Sequence, residues 1–277
     1  MPHPTISPTV SDASTVAVVV PMSNRKHLTP EEELSFRHLV HFLGQYDKYL
    51  VIPESLDIHY PGFTLQRFSD KFFGSHEANT RLMLSRKFYN AFREYKYILV
   101  YQLDCLVFSD QLMEWCTLDL DYIGAPWIQC PDLPWVKMSH VGNGGFSLRQ
   151  VESFLRVLDS KEYWHDPEEY WKRFCSLRSK PIQYLNIPRK YLARIRFLNG
   201  VKQHLRKKYL KYEDRFWSTE ASKYCPGFKI PPVETALRFA FEAGPRLCFE
   251  LNHQELPFGC HAWHRYDRAF WEPYLLP

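Results

Sequence analysis

Tyr97-Ile98-Leu99-Val100-Tyr101-Gln102-Leu103-Asp104 opens with five apolar or aromatic residues in a row and ends, three residues on, at a carboxylate. An unbroken apolar run of strand length has no polar face to offer water, so it reads as a strand buried on both sides. Val16-Ala17-Val18-Val19-Val20-Pro21 has the same texture, and Tyr49-Leu50-Val51-Ile52-Pro53 repeats it; both are stopped by proline. Helical stretches stand between these runs. Thr29-Pro30-Glu31-Glu32 opens one: the threonine hydroxyl can cap, proline suits the first turn, and the acids favour the positive end of the helix dipole. Leu34, Leu39, Phe42 and Leu43 supply its buried face. A second helical stretch is expected over residues 77–95. Strand, helix and strand in alternation predict an α/β fold with a Rossmann-like, mostly parallel central sheet flanked by helices.

Beyond Asp121 the texture changes to aromatics, prolines and short elements, with helices expected at residues 149–160 and 232–242. No internal repeat or linker composition is present. Residues 1–15, rich in Ser, Thr and Pro, read as a flexible lead-in, and residues 16–277 as one domain. The 277 residues are 45% hydrophobic and 24% charged, which excludes wholesale disorder and leaves an ordinary soluble globular protein. Seven cysteines, an odd number with no C-x-x-C pair, fit neither a disulfide framework nor a zinc ribbon; free thiols in a reducing cytoplasm account for them. No basic-then-apolar leader opens the chain, and the first apolar run falls far short of the ~20 residues of a membrane helix. The expectation is a cytoplasmic protein, soluble or at most attached to a membrane surface. A net charge of +4 favours an anionic ligand only slightly.

Three segments carry chemistry. The first places Asp104 at the carboxyl edge of the sheet, where open α/β folds bind ligands. The second is Gly142-Asn143-Gly144-Gly145, following Tyr122-Ile123-Gly124-Ala125-Pro126-Trp127. Its glycines allow close backbone approach, so main-chain donors and the Asn143 amide can face a polar ligand. It is neither a dinucleotide fingerprint nor a P-loop. The third is Leu256-Pro257-Phe258-Gly259-Cys260-His261-Ala262-Trp263. A histidine and an aspartate from distant segments suit Mn²⁺, which accepts nitrogen as well as oxygen. Zinc would call for three or four protein ligands.

Together, these segments, in this order with Glu213-Asp214-Arg215-Phe216-Trp217, resemble the GT-A glycosyltransferases. Their phrases are similar to those of one uncharacterised glycosyltransferase-like family, over nearly the whole chain after residue 15. The resemblance implies a nucleotide-sugar-dependent glycosyltransferase with Mn²⁺ or Mg²⁺ held by Asp104 and His261. Gln102 stands where the first acid of the family's D-x-D motif would be if Asp104 is the second, and Leu106 where the second would be if Asp104 is the first. It implies an inverting reaction, with Asp214 as the base that deprotonates the acceptor hydroxyl and Glu213 second to it. For the donor it implies Asn24 and Arg25 after the first strand at the base and ribose, Arg81 in the helix that reaches the diphosphate, and Gln102, Trp127, Asn143, Gly144 and Gly145 as further donor-binding residues. The expected acceptor is a surface glycan precursor. The stretch 189–211, basic and apolar at helical spacing, can lie on an anionic membrane or grip nucleic acid, including a modified base that receives the sugar. Two rivals stand beside this reading. A nucleotidyltransferase would carry a glycine- and cation-rich loop after the first strand, which Pro21-Met22-Ser23-Asn24-Arg25-Lys26 is not. A non-catalytic sugar-binding module would not need Asp104, Asp214 and His261 together.

Overall fold

The computed structural model describes residues 15–209 and 211–277; the proposed lead-in therefore lies almost wholly outside the described residues. In chain order the strands are β1 (Val16–Pro21), β2 (Asp47–Pro53), β3 (Thr64–Phe68) and β4 (Tyr97–Tyr101). Then come β5 (Leu106–Val107), β6 (Tyr122–Gly124), β7 (Pro126–Trp127), β8 (His140–Val141) and β9 (Phe146–Gln150). The short strands β10 (Ala240–Phe241) and β11 (Gly259–Cys260) follow near the end.

Six of these make the central sheet, in the order β3-β2-β1-β4-β9-β6. β1 to β4 are mutually parallel where they pair, and β9 alone runs against its neighbours β4 and β6. This is the mostly parallel α/β sheet expected from the uniform apolar runs: every residue of β4, and five of the six in β1, is buried. β3, absent from the sequence reading, is an edge strand whose only fully buried residue is Phe68.

The helix Pro30–Leu43 begins as its sequence dictates. Glu32 N donates to the Thr29 hydroxyl at 3.2 Å, and Thr29 N donates to the Glu32 carboxylate at 2.7 Å, a complete capping box. The stretch 77–95 is two helices, His76–Met83 and Arg86–Asn90, because Ser85 ends one and caps the next through its hydroxyl. The expected helix at 149–160 begins later: Arg149 and Gln150 belong to β9, and the helix is Val151–Leu158. The one at 232–242 is Val233–Phe239, after which the chain extends into β10. The basic stretch is three short helices, Ile187–Leu192, Arg196–Asn199 and Val201–Lys208.

On one face of the sheet, Tyr89, Phe154 and Trp217 pack together, the last two with ring centroids 4.1 Å apart. A second cluster, with Trp263, Trp271, Phe241 and Cys260, encloses the small sheet β10-β11-β5. Five of the seven free cysteines are buried, leaving Cys175 and Cys225 half-exposed. No helix among the described residues is long and apolar enough to cross a membrane. Replacing Thr29 by alanine removes the hydroxyl cap of the helix that follows β1 and should cost about 1 kcal/mol in urea unfolding. An unchanged midpoint would show the cap to be redundant.

Candidate functional site

From β1 the chain moves outward to β2 and β3 on one side, while β4 is followed on the other side by β9 and β6. At such a reversal the flanking helices diverge to opposite faces, leaving a crevice at the carboxyl ends of the two central strands. Here the crevice is a cleft of about 680 Å³. Its walls include Ser23 and Asn24 after β1, Gln102 and Asp104 after β4, and Ser75, His76 and Asn79 of the helix that begins beside them. Among the described residues lining it there is no lysine or arginine.

Asp104 sits in a turn closed by the Cys105 N–H on the Gln102 carbonyl at 3.0 Å. The small sheet brings His261 to it. β11 pairs with β5, which follows Asp104 by two residues, and Trp263 N donates to the Asp104 carbonyl at 3.2 Å. β10 pairs with β11 so that Phe241 faces Cys260, and His261 N donates to the Phe241 carbonyl at 2.9 Å. The next side chains along, Glu242 and His261, therefore meet, with Nδ1 2.9 Å from a Glu242 oxygen. The other imidazole nitrogen, Nε2, lies 3.3 Å from Asp104 Oδ1 and 3.2 Å from Gln102 Oε1.

Asn143 completes the group from the opposite side. Its backbone is left-handed, with φ of 50°, a conformation asparagine tolerates better than most residues. Its Oδ1 accepts from the N–H groups of Gly145 at 2.9 Å and Phe146 at 3.1 Å, which orients Nδ2 toward Glu242. Asn143 Nδ2 and His261 Nδ1 converge on the same Glu242 oxygen, at 2.8 and 2.9 Å. Trp127 Nε1 donates to the other at 2.8 Å. With Nδ1 donating, Nε2 turns toward Asp104, an arrangement that fixes the ring's orientation. A β-carbon at Gly145 would overlap the His261 ring, and one at Gly144 would overlap the Glu213 carboxylate. These two positions have room only for glycine.

Burial alone would lower the pKa of His261, but the Asp104 and Glu242 carboxylates raise it well above the usual value. Burial likewise pushes Asp104 up, and the facing imidazole outweighs it and holds the carboxyl below its ordinary value. Asp104 Oδ1 is shielded from solvent and has no well-aligned hydrogen bond, with the His261 Nε2 facing it at 3.3 Å. A shielded carboxylate oxygen facing an oriented imidazole nitrogen suits a hard divalent cation, which would take the place of the Nε2 proton. The 3.3 Å separation is close to the ~3.0 Å between adjacent corners of an octahedron with ~2.1 Å metal–ligand bonds. Cys105 is a neighbour of the pair, but its thiol donates to the Gly145 carbonyl and burial pushes its pKa well up. It remains protonated, so the donor set is an oxygen and a nitrogen, which suits Mn²⁺ or Mg²⁺ better than zinc.

Behind the glycine loop lies a fully buried arginine. Arg149 donates to both oxygens of Glu213 at 2.8 and 3.2 Å, to the Tyr89 hydroxyl at 2.9 Å and to the Gly144 carbonyl at 3.0 Å. The pair anchors the helix Glu213–Thr219 to the loop that touches His261. Asp214, the next residue, is half-buried and keeps its proton up to about 7, through burial first and the Glu213 charge second.

The structure thus gathers Asp104, His261, Gln102, Asn143, Gly144 and Gly145 at one point, sets Asn24 in the adjoining cleft, and brings Glu213 against Gly144. Trp127 is attached to the group through Glu242 rather than by lining the cleft. Arg25 is turned to Ser23 and Glu32, and Arg81 is exposed; neither lines the cleft. Sequence reasoning missed Glu242 and Arg149. Each had a local signal: Glu242 is an acid closing the apolar run Phe239-Ala240-Phe241, and Arg149 is the one cation in Phe146-Ser147-Leu148-Arg149-Gln150.

Fold and site define a mixed α/β protein whose switch-point cleft carries a carboxylate–imidazole pair backed by a second carboxylate. Residues 62–261 match the family described as protein of unknown function DUF5672, and the chain belongs to that family. No curated protein matches it in sequence. Among solved structures it is similar to core-mannan synthase A (CmsA/Ktr4) from Aspergillus fumigatus in its Mn/GDP form, at 10% identity and a TM-score of 0.39. That alignment covers 53% of this chain and 62% of the other, so the chain spans about three fifths of that protein's length. The mannosyltransferase Ktr4p from S. cerevisiae in complex with GDP aligns over 85% of this chain and 73% of its own, at 10% identity and a TM-score of 0.42. The glycosyltransferase GlyE of Streptococcus pneumoniae aligns over 94% and 60%, at 13% identity and a TM-score of 0.40.

Arg149→Met would strand the Glu213 charge against an apolar wall and should cost about 3–5 kcal/mol, whereas Arg149→Met with Glu213→Leu should recover most of that loss. Urea unfolding of both variants checks this. Equal losses would show that the charge pair is not what holds the loop to the helix.

Proposed function

We propose that residues 16–277 form one GT-A-type catalytic domain that transfers a sugar from a nucleoside diphosphate donor to an acceptor hydroxyl, with a divalent cation at Asp104 and His261. The observation that carries this reading is the shielded Asp104 oxygen 3.3 Å from His261 Nε2, in the lining of a cleft without lysine or arginine among its described lining residues. A diphosphate in such a cleft needs positive charge from elsewhere. The cation, when bound, offsets the charge that develops on the leaving diphosphate. The chain itself contributes the N-terminus of the helix His76–Met83, whose Ser75, His76 and Asn79 face the cleft. Asn24 and the backbone after β1 offer hydrogen bonds to the nucleoside, and the Asn143 loop closes the metal side. A nucleotidyltransferase would need cationic side chains on the phosphates, which favours sugar transfer over that rival.

Asp214 is the proposed base, in an inverting reaction. Both Glu213 oxygens are committed to Arg149, whereas Asp214 accepts only the Arg215 N–H at 2.7 Å among the described residues. A carboxyl poised near neutrality removes a hydroxyl proton well, because its basicity is high while it is still ionised at working pH. The acceptor proposed is a hydroxyl of a glycan precursor, and the buried, unpaired thiols support a reducing, cytoplasmic setting.

Calorimetry with UDP and GDP, each with and without Mn²⁺, tests the donor site. Binding should require the cation and should vanish in Asp104→Ala with the unfolding midpoint unchanged. Metal-independent binding, or none with either nucleotide, would overturn the reading.

The base has its own test in the pH profile. Asp214 works only when ionised, so kcat/KM should rise with pH and level off above about 7. Asp214→Asn should lower kcat by about 10²–10⁴-fold and flatten the rise, leaving donor affinity intact. The sign for stability is opposite. A carboxyl whose folded pKa is raised stabilises the fold at low pH and loses that contribution as pH climbs through about 7, so the variant's stability should vary less over that window. A variant retaining full turnover would remove Asp214 from the mechanism.

A further inference from the structure

Residues 171–211 contain thirteen lysines and arginines and no acid, after the two acids, Glu168 and Glu169, that open the helix Pro167–Ser176. The whole chain has 35 basic and 31 acidic residues, so the remainder carries 22 against 31, and the positive charge is concentrated in this one segment. Its helices are unusual in a second way. Lys180–Leu185 and Ile187–Leu192 bury none of their residues, and the helix Pro167–Ser176 packed beside them buries only Pro167. Leu177, Tyr184 and Leu185 are 68%, 68% and 80% exposed, and Tyr191 and Phe197 are 60% and 77% exposed. Most of the large exposed apolar side chains of the described protein lie here. Scattered surface apolar residues are ordinary, whereas a concentration of them within one segment marks an interaction surface.

The segment is nevertheless attached to the domain. Tyr163 and Gly200 form a β-bridge, and Asn199, which is buried, receives the His165 N–H on its side-chain oxygen at 3.0 Å while its amide donates to the His165 and Ala193 carbonyls at 2.7 Å. Lys207 and Lys208 both lie 5.7 Å from the Trp164 ring centre. The cluster is thus held at its base, with its basic and apolar side chains directed outward.

We propose that this cluster docks on an anionic lipid surface, the apolar side chains entering the boundary between headgroups and acyl chains and the lysines and arginines meeting the lipid phosphates. Such a surface satisfies both features at once, as for basic amphipathic helices that lie in the membrane interface. A nucleic acid backbone would meet the charge and leave leucines and phenylalanine in water. A second copy of the same face would oppose like charges, since of the thirteen cations only Arg194 and Lys211 are paired, with Glu168 and Glu77, among the described residues.

Sedimentation of the full chain with phosphatidylcholine vesicles, and with vesicles in which phosphatidylserine replaces part of it, is the test. Binding should occur with the anionic vesicles, be weak or absent with the neutral ones, and fall with added salt. Leu185→Ser with Phe197→Ser should release the protein without changing its unfolding midpoint, since both side chains are exposed. Arg178→Gln and Lys180→Gln should each weaken binding about fivefold. No binding to anionic vesicles, or equal binding to both kinds, overturns the proposal. So does binding of a DNA oligonucleotide with no vesicle binding, or a dimer in sedimentation velocity that the two serine substitutions dissolve while vesicles remain unbound. Nucleotide binding and sugar transfer enter none of these readouts, so the proposal stands or falls separately from the catalytic reading.

Discussion

A carboxylate cannot be taken almost wholly out of water unless donors surround it, and Glu242 is such a carboxylate. Its two oxygens receive the Trp127 indole, the Asn143 amide and the His261 imidazole, three groups from three separate stretches of chain. The demand for those donors explains much of the local architecture. It holds the end of β7, the glycine loop before β9 and the residue after β11 in one place, and it settles which nitrogen of His261 faces Asp104. The backbone pays attention to the same constraint: Asn143 adopts a left-handed conformation, and the residues after it have no β-carbon, so that the amide can reach Glu242 while His261 and Glu213 come close.

Much of the fold was legible because its strongest signals are local. Uniform apolar runs mark buried parallel strands, and a Thr-Pro-Glu-Glu start marks a helix. β3 was missed because an edge strand is only partly buried, and Thr64-Leu65-Gln66-Arg67-Phe68 carries too little apolar character to stand out. The break at Ser85 was missed because periodicity alone cannot separate one long helix from two short ones joined by a cap. Asp104, Asn143 and His261, which the structure brings together, stood out from their settings at a strand end and in glycine-rich turns. Glu242 and Arg149 act through partners about a hundred and about sixty residues away, and spacing along one chain carries no record of such pairs.

Charge is distributed very unevenly. The cleft has acids, amides and histidines but no lysine or arginine among its described lining residues, while the 171–211 segment is uniformly basic. The one arginine close to the glycine loop, Arg149, is spent on Glu213 and the Gly144 carbonyl and keeps no N–H for a ligand facing the cleft. The cations of the 171–211 segment and the residues lining the cleft are therefore separate sets.

The placement of the thiols has an experimental consequence. Cys105 follows Asp104, and Cys260 precedes His261; both are buried, and burial raises their pKa values so that little reactive thiolate forms. An alkylating reagent added to the native protein should reach Cys175 and Cys225 first and these two only when the small sheet opens. The chain thus carries its own opening reporters beside each half of the carboxylate–imidazole pair. Mass spectrometry of the modified peptides over time would show how often that corner of the molecule comes apart, residue by residue, without any label having to be introduced.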